Sequence, residues 1–254
     1  MSAAATSAHG EVVIRYEKVC KRFGPKVVLH DLDLSVRRGE TLAIMGPSGI
    51  GKSVTLRHAV GLLHPDSGRV LVEGHDMRTI ESEDLIALRK RMGYLFQDGA
   101  LINWLSVGEN VALPLRENTD LADAEIREKV EHSLALVQMV NSYHLRPPEL
   151  SGGMRKRVGL ARALVTEPDI VFYDEPNTGL DPEISMSVNH LIRDLAERLK
   201  ITSIVVTHLV SCALFAADRV VLIDQGRVFA EGTPEEFLKD PNERVQRFLA
   251  KPYD

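Results

Sequence analysis

The segment TLAIMGPSGIGKS, residues 41–53, constrains the fold of this chain more than any other part of the sequence. It joins a short apolar run to the glycine-rich pattern GPSGIGKS at residues 46–53. A continuous apolar run of this kind is typical of a parallel strand that is buried on both faces. A strand, a glycine-rich loop and a helix in this order predict an α/β fold with a phosphate-binding loop. We expect the helix to run from Lys52 to about Leu63.

The residue types of this loop suit the phosphate groups of a nucleotide. Glycines allow the backbone amides to wrap around phosphates, Lys52 neutralises the outer phosphates, and the Ser53 hydroxyl can reach Mg²⁺. A glycine-rich turn that arises by chance is the alternative, and the flanking strand and helix patterns argue against it. The predicted nucleotide-binding residues here are Gly46, Pro47, Ser48, Gly49, Ile50, Gly51, Lys52, Ser53 and Val54.

A pair of acidic residues ends another apolar run. In DIVFYDEP, residues 169–176, Asp174 and Glu175 follow four apolar residues. Asp174 can hold Mg²⁺, and Glu175 can polarise a water molecule for in-line attack on a terminal phosphate. Acidic pairs at strand ends are also common surface features, so this interpretation depends on the phosphate loop being present.

Two further polar residues end predicted strands. His208 ends TSIVVTH, residues 202–208, and Gln97 ends YLFQ at the entrance to a helical segment. Ligands bind at the carboxyl ends of the strands in open α/β folds, so we expect His208 to contact the terminal phosphate. A structural histidine is the alternative for His208, and an ordinary polar strand end is the alternative for Gln97.

A second anion-binding turn is indicated by ELSGGMRKRVGLARAL, residues 149–164. Ser151, Gly152 and Gly153 stand at a predicted helix start, where free backbone amides and the positive end of the helix favour an anion. A plain helix start with Ser151 as its N-cap is the alternative. Residues 46–53 already form a complete phosphate loop. A nucleotide site built from one chain therefore does not need the second turn.

The remaining patterns alternate strands and helices around one helical insert. Helical patterns and little strand signal lie between Gln97 and Ser151, and Thr119 or Asp120 could cap the helix of residues 121–140. We expect strands at 11–23, 26–40, 41–46, 68–74, 94–97, 169–176 and 202–208, further strand within 218–232, and a helix at 183–200.

These patterns predict one folded domain. We expect a flexible N-terminal tail at residues 1–10 and a single domain at 11–254. Its core comprises residues 11–97 and 151–254, and its helical subdomain comprises residues 98–150.

Composition limits the classes of partner. The net charge is −5, and Cys20 and Cys212 are the only cysteines. This gives no basic footprint for nucleic acid, and neither a zinc site nor a disulfide framework is expected. The start of the chain lacks a signal-peptide pattern, and no apolar run approaches about 18 residues. If the protein works at a membrane, we therefore expect another chain to supply the crossing.

The motifs together resemble those of ABC-transporter ATPases, over about residues 12–245. The resemblance implies an α/β P-loop NTPase (RecA-like) core, an antiparallel β subdomain and an inserted α-helical subdomain. It also implies hydrolysis of ATP with Mg²⁺. The motifs that carry it, in the order and spacing of the family, are Gly46–Ser53, Gln97, LSGGMRKR (150–157), YDEPNTGLD (173–181) and His208.

Several residue roles follow from this resemblance. Phe23 matches the aromatic residue that stacks on adenine, and Asp181 matches the aspartate that bridges two ATPase subunits. Gln97 matches the residue that senses Mg²⁺ and communicates with the membrane subunit. The implied catalytic residues are Glu175, His208 and Gln97, and the implied metal ligands are Ser53, Gln97 and Asp174.

The family also implies partners. Two copies of the chain pack head to tail, and each ATP lies between the phosphate loop of one copy and the turn at residues 151–153 of the other. An integral membrane permease is the second partner. It would hold the chain at the cytoplasmic face of the inner membrane.

A narrower resemblance points to the ATPases of the Mla and Mce lipid-transport systems. It rests on MRKR at residues 154–157, LFQDGALINWLSVGENVALPL at 95–115 and YDEPNTGLDP at 173–182. It implies transport of phospholipids or other lipids in the bacterial envelope, with a lipid-binding Mce-type protein in the complex. An ATPase of a lipoprotein-release, amino-acid or cell-division ABC system is the alternative.

The sequence departs from this narrower pattern at three places. Asn103-Trp104 replaces a more usual acidic or polar pair, and Asn177 stands where threonine is common. Leu209 stands where an aspartate usually caps the next helix, and Ser211 could take over that cap.

Two other functional classes fit the sequence less well. An ABC-type ATPase that acts on DNA or the ribosome usually has a long coiled-coil or zinc insertion, or two cassettes in one chain. A P-loop kinase would leave the turn at residues 151–153 and His208 unexplained.

The segment ALINWL, residues 100–105, is unusually apolar for a loop and contains the single tryptophan. In one interpretation its apolar side chains fill the core of the helical insert. In the other, part of the segment lines a groove that receives a short helix of the membrane subunit, and the large apolar residues are Leu101, Ile102, Trp104 and Leu105.

Overall fold

The computed structural model describes residues 10–250, so the tail predicted for residues 1–10 lies almost entirely outside the described residues. The strands of the described residues form two sheets, one of six strands and one of four. Within residues 10–250, no helix combines the length and the apolar character that a membrane span requires.

Ten strands lie in the described part of the chain. They are β1 (Val12–Phe23), β2 (Lys26–Arg37), β3 (Thr41–Met45), β4 (Ser67–Val72), β5 (His75–Asp76), β6 (Met92–Leu95), β7 (Ile170–Asp174), β8 (Thr202–Thr207), β9 (Arg219–Asp224) and β10 (Arg227–Gly232).

The larger sheet has six strands in the order β10-β9-β3-β8-β7-β6. Its strands pair in parallel, apart from the antiparallel hairpin of β9 and β10. Every residue of β3, β7 and β8 is buried, as expected for parallel strands that are covered on both faces. The α/β fold class predicted from the sequence is therefore confirmed.

The smaller sheet is antiparallel, with strand order β2-β1-β4-β5. Its long strands β1 and β2 alternate between buried and exposed residues, so one face is turned to the core. Tyr16 on β1 donates a hydrogen bond to the carbonyl of Thr55 at 2.8 Å, which links this sheet to the helix after the phosphate loop.

Besides a short 3₁₀-helix at Pro147–Glu149, nine α-helices lie in the described part of the chain. They are α1 (Lys52–Ala59), α2 (Ser82–Lys90), α3 (Val107–Asn118), α4 (Asp123–Leu136), α5 (Gly152–Leu164), α6 (Pro182–Leu199), α7 (Val210–Ala216), α8 (Pro234–Leu238) and α9 (Glu243–Leu249). Helix α1 ends at Ala59, before the expected Leu63, because Gly61 has a φ of +69° and turns the chain out of the helix.

Helices α3 and α4 lie between β6 and β7 along the chain and share a core with α5 and α6. Val111 and Val130 from the first pair belong to the same buried cluster as Val158 and Ile192 from the second. Tyr173 of the large sheet also belongs to this cluster. The helical layer is therefore packed onto the large sheet.

Two predicted helix caps are wrong. Helix α4 begins after Ala122, whose amide donates to the Glu125 carboxylate at 2.9 Å, whereas Thr119 bonds back to the carbonyl of Leu115 and ends α3. Helix α7 begins directly after Leu209, so Ser211 lies inside its first turn. The Leu209 amide donates to the Thr207 hydroxyl at 3.0 Å, which stabilises this turn from the preceding strand.

In the segment at residues 100–105, some apolar side chains pack against the helical core and others are exposed. The Trp104 side chain is 78% exposed, so the prediction that it fills the core is wrong. Leu101 is half-buried and packs against the helical core. The buried Asn110 side chain holds the segment, because its Oδ1 accepts from the backbone amide of Ile102 at 2.7 Å and its Nδ2 donates to the carbonyls of Ile102 and Ser106.

Candidate active site

A cleft of about 470 Å³ opens where the parallel strands of the large sheet end. In open α/β folds this edge is where ligands bind. Its lining combines residues from the phosphate loop, from the ends of β6, β7 and β8, and from the small sheet. The lining residues are Phe23, Lys26, Val28, Ser48, Gly49, Gly51, Lys52, Ser53, Val54, Gln97, Glu175, Thr178 and His208.

The phosphate loop joins β3 to α1. Gly51 has a φ of +110° immediately before the helix, and a Cβ atom there would lie 2.6 Å from a Val28 methyl group, so the loop requires glycine at this position. The Lys52 ammonium folds back over the loop and donates to the carbonyls of Gly46 at 2.9 Å and Pro47 at 3.2 Å. This arrangement places a buried positive charge and the start of a helix beside the same cavity.

Ser53 and Asp174 meet behind the loop, although 121 residues separate them in sequence. The Ser53 hydroxyl donates to Asp174 Oδ1 at 2.6 Å, and Asp174 is 5% exposed. A hydroxyl and a carboxylate are hard oxygen ligands, and Mg²⁺ is commonly bound by one or two carboxylates together with substrate phosphates. The chemistry of this pair therefore fits Mg²⁺.

Tyr94 is a site residue that the sequence analysis missed. It lies on β6, next to β7 in the sheet, and its hydroxyl donates to Asp174 Oδ2 at 3.0 Å. Burial and the negative charge of Asp174 both raise the pKa of the Tyr94 phenol, so it stays a protonated donor. Its position one strand away from Asp174 is the only signal in the sequence that could have indicated it.

Glu175 follows β7 with a φ of +51°, an uncommon backbone conformation for a residue with a side chain. Its carboxylate lies 3.4 Å from the Lys52 ammonium and 2.7 Å from Nδ1 of His208. The Thr178 hydroxyl is a third neighbour, at 3.4 Å. The structure thus brings the predicted base together with the phosphate-loop lysine and the predicted histidine, and it adds Thr178 to the site.

Phe23 and Gln97 lie at the two sides of the cleft. The Phe23 ring is 47% exposed, with the Lys21 ammonium 5.7 Å from the ring centre. Gln97 is exposed and follows the end of β6. An exposed aromatic ring at the mouth of a nucleotide-sized cleft is available to stack on a base.

Ser151, Gly152, Gly153 and Asp181 lie outside this cleft. Ser151 is exposed at the start of α5, and its hydroxyl accepts from the Met154 amide at 3.3 Å, as an N-cap does. Asp181 caps α6 in the same way, accepting from the Ile184 amide at 3.0 Å. The N-cap interpretation of Ser151 is therefore observed, with Ser151 itself exposed and the following glycines half-buried and buried.

Comparisons with known proteins agree with the motifs. The family model described as "ABC transporter" matches residues 29–178. The intermembrane phospholipid transport system ATP-binding protein MlaF of Haemophilus influenzae is 44% identical over 238 residues, covering 93% of this chain and 90% of that protein. The Escherichia coli K12 protein of the same name is 39% identical, covering 89% of this chain and 84% of that protein.

A solved structure gives the same result. A dimeric ATP-binding cassette in a post-hydrolysis state with ADP and phosphate superposes with a TM-score of 0.79 at 30% identity, covering 87% of this chain and 98% of that one. The phosphate loop, the Ser53–Asp174 pair and the buried Glu175 thus occur in a chain whose fold and sequence both match ATP-hydrolysing cassettes. The chain belongs to the ABC transporter family, and it is an ATP-binding subunit that hydrolyses ATP.

Proposed function

We propose that this ATPase powers the transport of phospholipid or other lipid in the bacterial envelope, through a separate membrane permease. The similarity to phospholipid transport ATP-binding proteins over 93% of the chain carries this proposal. The segments MRKR at residues 154–157 and ALINWL at 100–105, which resemble the same systems, support it. An Mce-type lipid-binding protein belongs to the proposed complex.

The proposed chemistry is in-line attack of water on the terminal phosphate of ATP. Glu175 accepts a proton from the water, whose oxygen bonds to phosphorus while the bond from phosphorus to the ADP oxygen breaks. Lys52 binds the outer phosphates, and His208, which already orients the Glu175 carboxylate at 2.7 Å, contacts the terminal one. Phe23 stacks on the adenine.

Ser53, Asp174 and Gln97 are the residues that would hold Mg²⁺. When bound, Mg²⁺ neutralises negative charge on the phosphates. The hydrogen bond from Tyr94 to Asp174 Oδ2 leaves Oδ1, the oxygen nearest to Ser53, directed at the loop. We infer that Tyr94 fixes the orientation of this carboxylate.

The proposed active form is a head-to-tail dimer of this chain. The turn at residues 151–153, whose first residue Ser151 is exposed, would bind the ATP held by the partner's phosphate loop, and Asp181 would lie at the same interface. The dimeric cassette that resembles this chain supports the arrangement. The positive end of a helix is suited to contact the phosphates of ATP held by the second copy.

We expect a Ser151→Cys chain to form a disulfide-linked dimer with a Ser48→Cys chain when ATP is present. Both positions are exposed, and ATP would bring them to the same composite site. The background carries Cys20→Ser, while Cys212 can stay because burial raises the pKa of its thiol to about 12 and keeps it unreactive. Non-reducing electrophoresis measures the dimer.

In the control, a Ser82→Cys chain takes the place of the Ser48→Cys chain. Ser82 is exposed at the start of α2, and this mixture should give little disulfide-linked dimer. Equal crosslinking with and without ATP would contradict the shared site. Cysteine at 151 is preferable to a substitution at Gly153, because a Cβ atom there would lie 2.6 Å from an Ile184 methyl group and disturb the chain itself.

We propose that Trp104 is an anchor for the permease. Its indole is 78% exposed although Asn110 holds the loop around it in place, so the exposure does not come from a loose loop. The segment lies a few residues after Gln97, at the cleft. Burying a large apolar side chain at an interface contributes roughly 1.5–3 kcal/mol.

Affinity purification of the complex from native membranes tests both the transport proposal and this anchor. The wild-type chain should copurify with the permease and with phospholipid enriched over the bulk membrane. Trp104→Glu should fold and bind ATP normally, because it changes only exposed surface, yet lose the permease and the lipid.

Val140→Glu is the matched control, since Val140 is another exposed apolar residue of the helical layer, at 66% exposure. It should leave the complex intact. Normal assembly of Trp104→Glu would place docking elsewhere, and a complex that carries no lipid would refute lipid transport. Leu101→Glu is less informative, because Leu101 packs against the helical core.

A further inference from the structure

Lys156 is a buried cation that the proposed chemistry leaves without a role. It lies on α5, is 5% exposed, and its ammonium donates to the backbone carbonyl of Gln97 and, at 3.1 Å, to that of Glu175. Burial lowers the pKa of Lys156, whereas the charges of Asp98, Glu175 and Asp174 act in the opposite direction. A buried charge is costly unless it is hydrogen-bonded, so these two carbonyls define the position of the ammonium.

Helix α5 also holds the residues that follow Gln97. The Arg162 guanidinium donates to the carbonyls of Gly99 and Ala100, both at 2.8 Å. The loop lies directly on the helix, since a Cβ atom at Gly99 would be 2.9 Å from the Arg155 carbonyl oxygen. Residues 97–100, here called the Gln97 loop, are therefore attached to α5 by hydrogen bonds and close packing.

Lys156 differs from Arg162 because it also reaches the backbone of Glu175. With a φ of +51°, Glu175 has an uncommon backbone conformation that its surroundings must hold. The Glu175 amide donates to the carbonyl of Val206 at 2.9 Å, and its carbonyl accepts from Lys156. The peptide units on both sides of the Glu175 side chain are thus fixed by hydrogen bonds.

We propose that Lys156 is a positioning residue for ATP hydrolysis: its ammonium links α5 and the Gln97 loop to the backbone of Glu175 and so orients the catalytic carboxylate. The proposal rests on the proposed role of Glu175 as the base. Helix α5 begins at the turn of residues 151–153. If the partner's ATP displaces this turn, the Lys156 side chain transmits the displacement to the backbone of Glu175 in the same chain.

The test uses Lys156→Met in the full-length chain within its native complex. Methionine keeps the apolar stem and removes the donors. We expect kcat to fall about 10- to 100-fold, as when a supporting partner of a catalytic group is lost, while the Kd for ATP and the unfolding temperature stay close to wild type. Lys156→Gln keeps a shorter, neutral donor and should retain more of kcat than Lys156→Met.

Hydrogen exchange separates this role from simple support of the loop. Lys156→Met should speed amide exchange both in the Gln97 loop and in residues 175–178. Arg162→Met should do so in the Gln97 loop alone. Lys129→Met, which removes a partly exposed lysine paired with Glu167, is the control and should change neither kcat nor exchange in these segments.

Two outcomes would overturn the proposal. One is a kcat of Lys156→Met within about threefold of wild type, which is too small for a lost positioning contact. The other is a parallel fall in kcat, ATP affinity and unfolding temperature in both Lys156 variants, which indicates a structural role alone. Glu175→Gln, measured alongside, separates the two proposals: if it keeps full turnover, the role of Glu175 fails, whatever Lys156→Met does.

Discussion

Replacing Glu175 with glutamine is expected to slow ATP hydrolysis by about 10²–10⁴-fold, the range that a general base contributes. Glutamine has almost the same shape and can still hydrogen-bond to Lys52 and His208. It cannot accept a proton from water. ATP should therefore bind with nearly unchanged affinity and remain intact, and the closed dimer should accumulate.

Three measurements check this expectation: steady-state phosphate release, equilibrium binding of ATP, and the mass of the protein in ATP by size-exclusion chromatography with light scattering. Glu167→Gln, the same change at an exposed residue, is the matched control and should behave as wild type. Turnover of Glu175→Gln near the wild-type rate would remove Glu175 from its catalytic role.

Lys52→Ala is expected to weaken ATP binding by at least about 100-fold, because hydrogen bonds to charged groups contribute about 1.5–3 kcal/mol each and the lysine makes more than one to the phosphates. In the structure Lys52 is 5% exposed, and its ammonium donates hydrogen bonds to the carbonyls of Gly46 and Pro47. These contacts keep the ammonium beside the cleft where the phosphates bind. Isothermal titration calorimetry with ATP measures the loss.

Lys26→Ala is the matched control, since Lys26 lines the same cleft but is exposed and makes one contact to the loop, with the Gly49 carbonyl at 3.3 Å. Its effect should be within about tenfold, in line with the small contribution of exposed charges. The phosphate-loop assignment fails if Lys52→Ala binds ATP as tightly as Lys26→Ala does.

The strands and the phosphate loop could be predicted because their signals are local. Strands β3 and β7 consist mainly of an apolar run, β8 has the apolar centre Ile204–Val206, and residues 46–53 follow β3 directly. Parallel pairing alone places the carboxyl ends of β7 and β8 at the same edge of the sheet. Glu175 and His208, which follow these strands, could therefore be expected to lie close together.

Tyr94 and Lys156 were missed because their contacts depend on long-range packing. Tyr94 reaches Asp174 only through the register that pairs β6 with β7, and Lys156 reaches Glu175 only through the rotation of α5 about its own axis. The start of α4 was missed for another reason. Ala122 has no side-chain acceptor, and a carboxylate one turn later, Glu125, satisfies its amide instead.

The strand order of the large sheet also determines when the nucleotide site can form during synthesis. Strand β3, which leads into the phosphate loop, pairs only with β8 and β9. At about 5–20 residues per second, the ribosome needs roughly 10–30 seconds to make the chain between β3 and β8. Until then β3 has no partner strand in the large sheet, so an incomplete chain lacks the framework that holds the phosphate loop and is not expected to retain ATP.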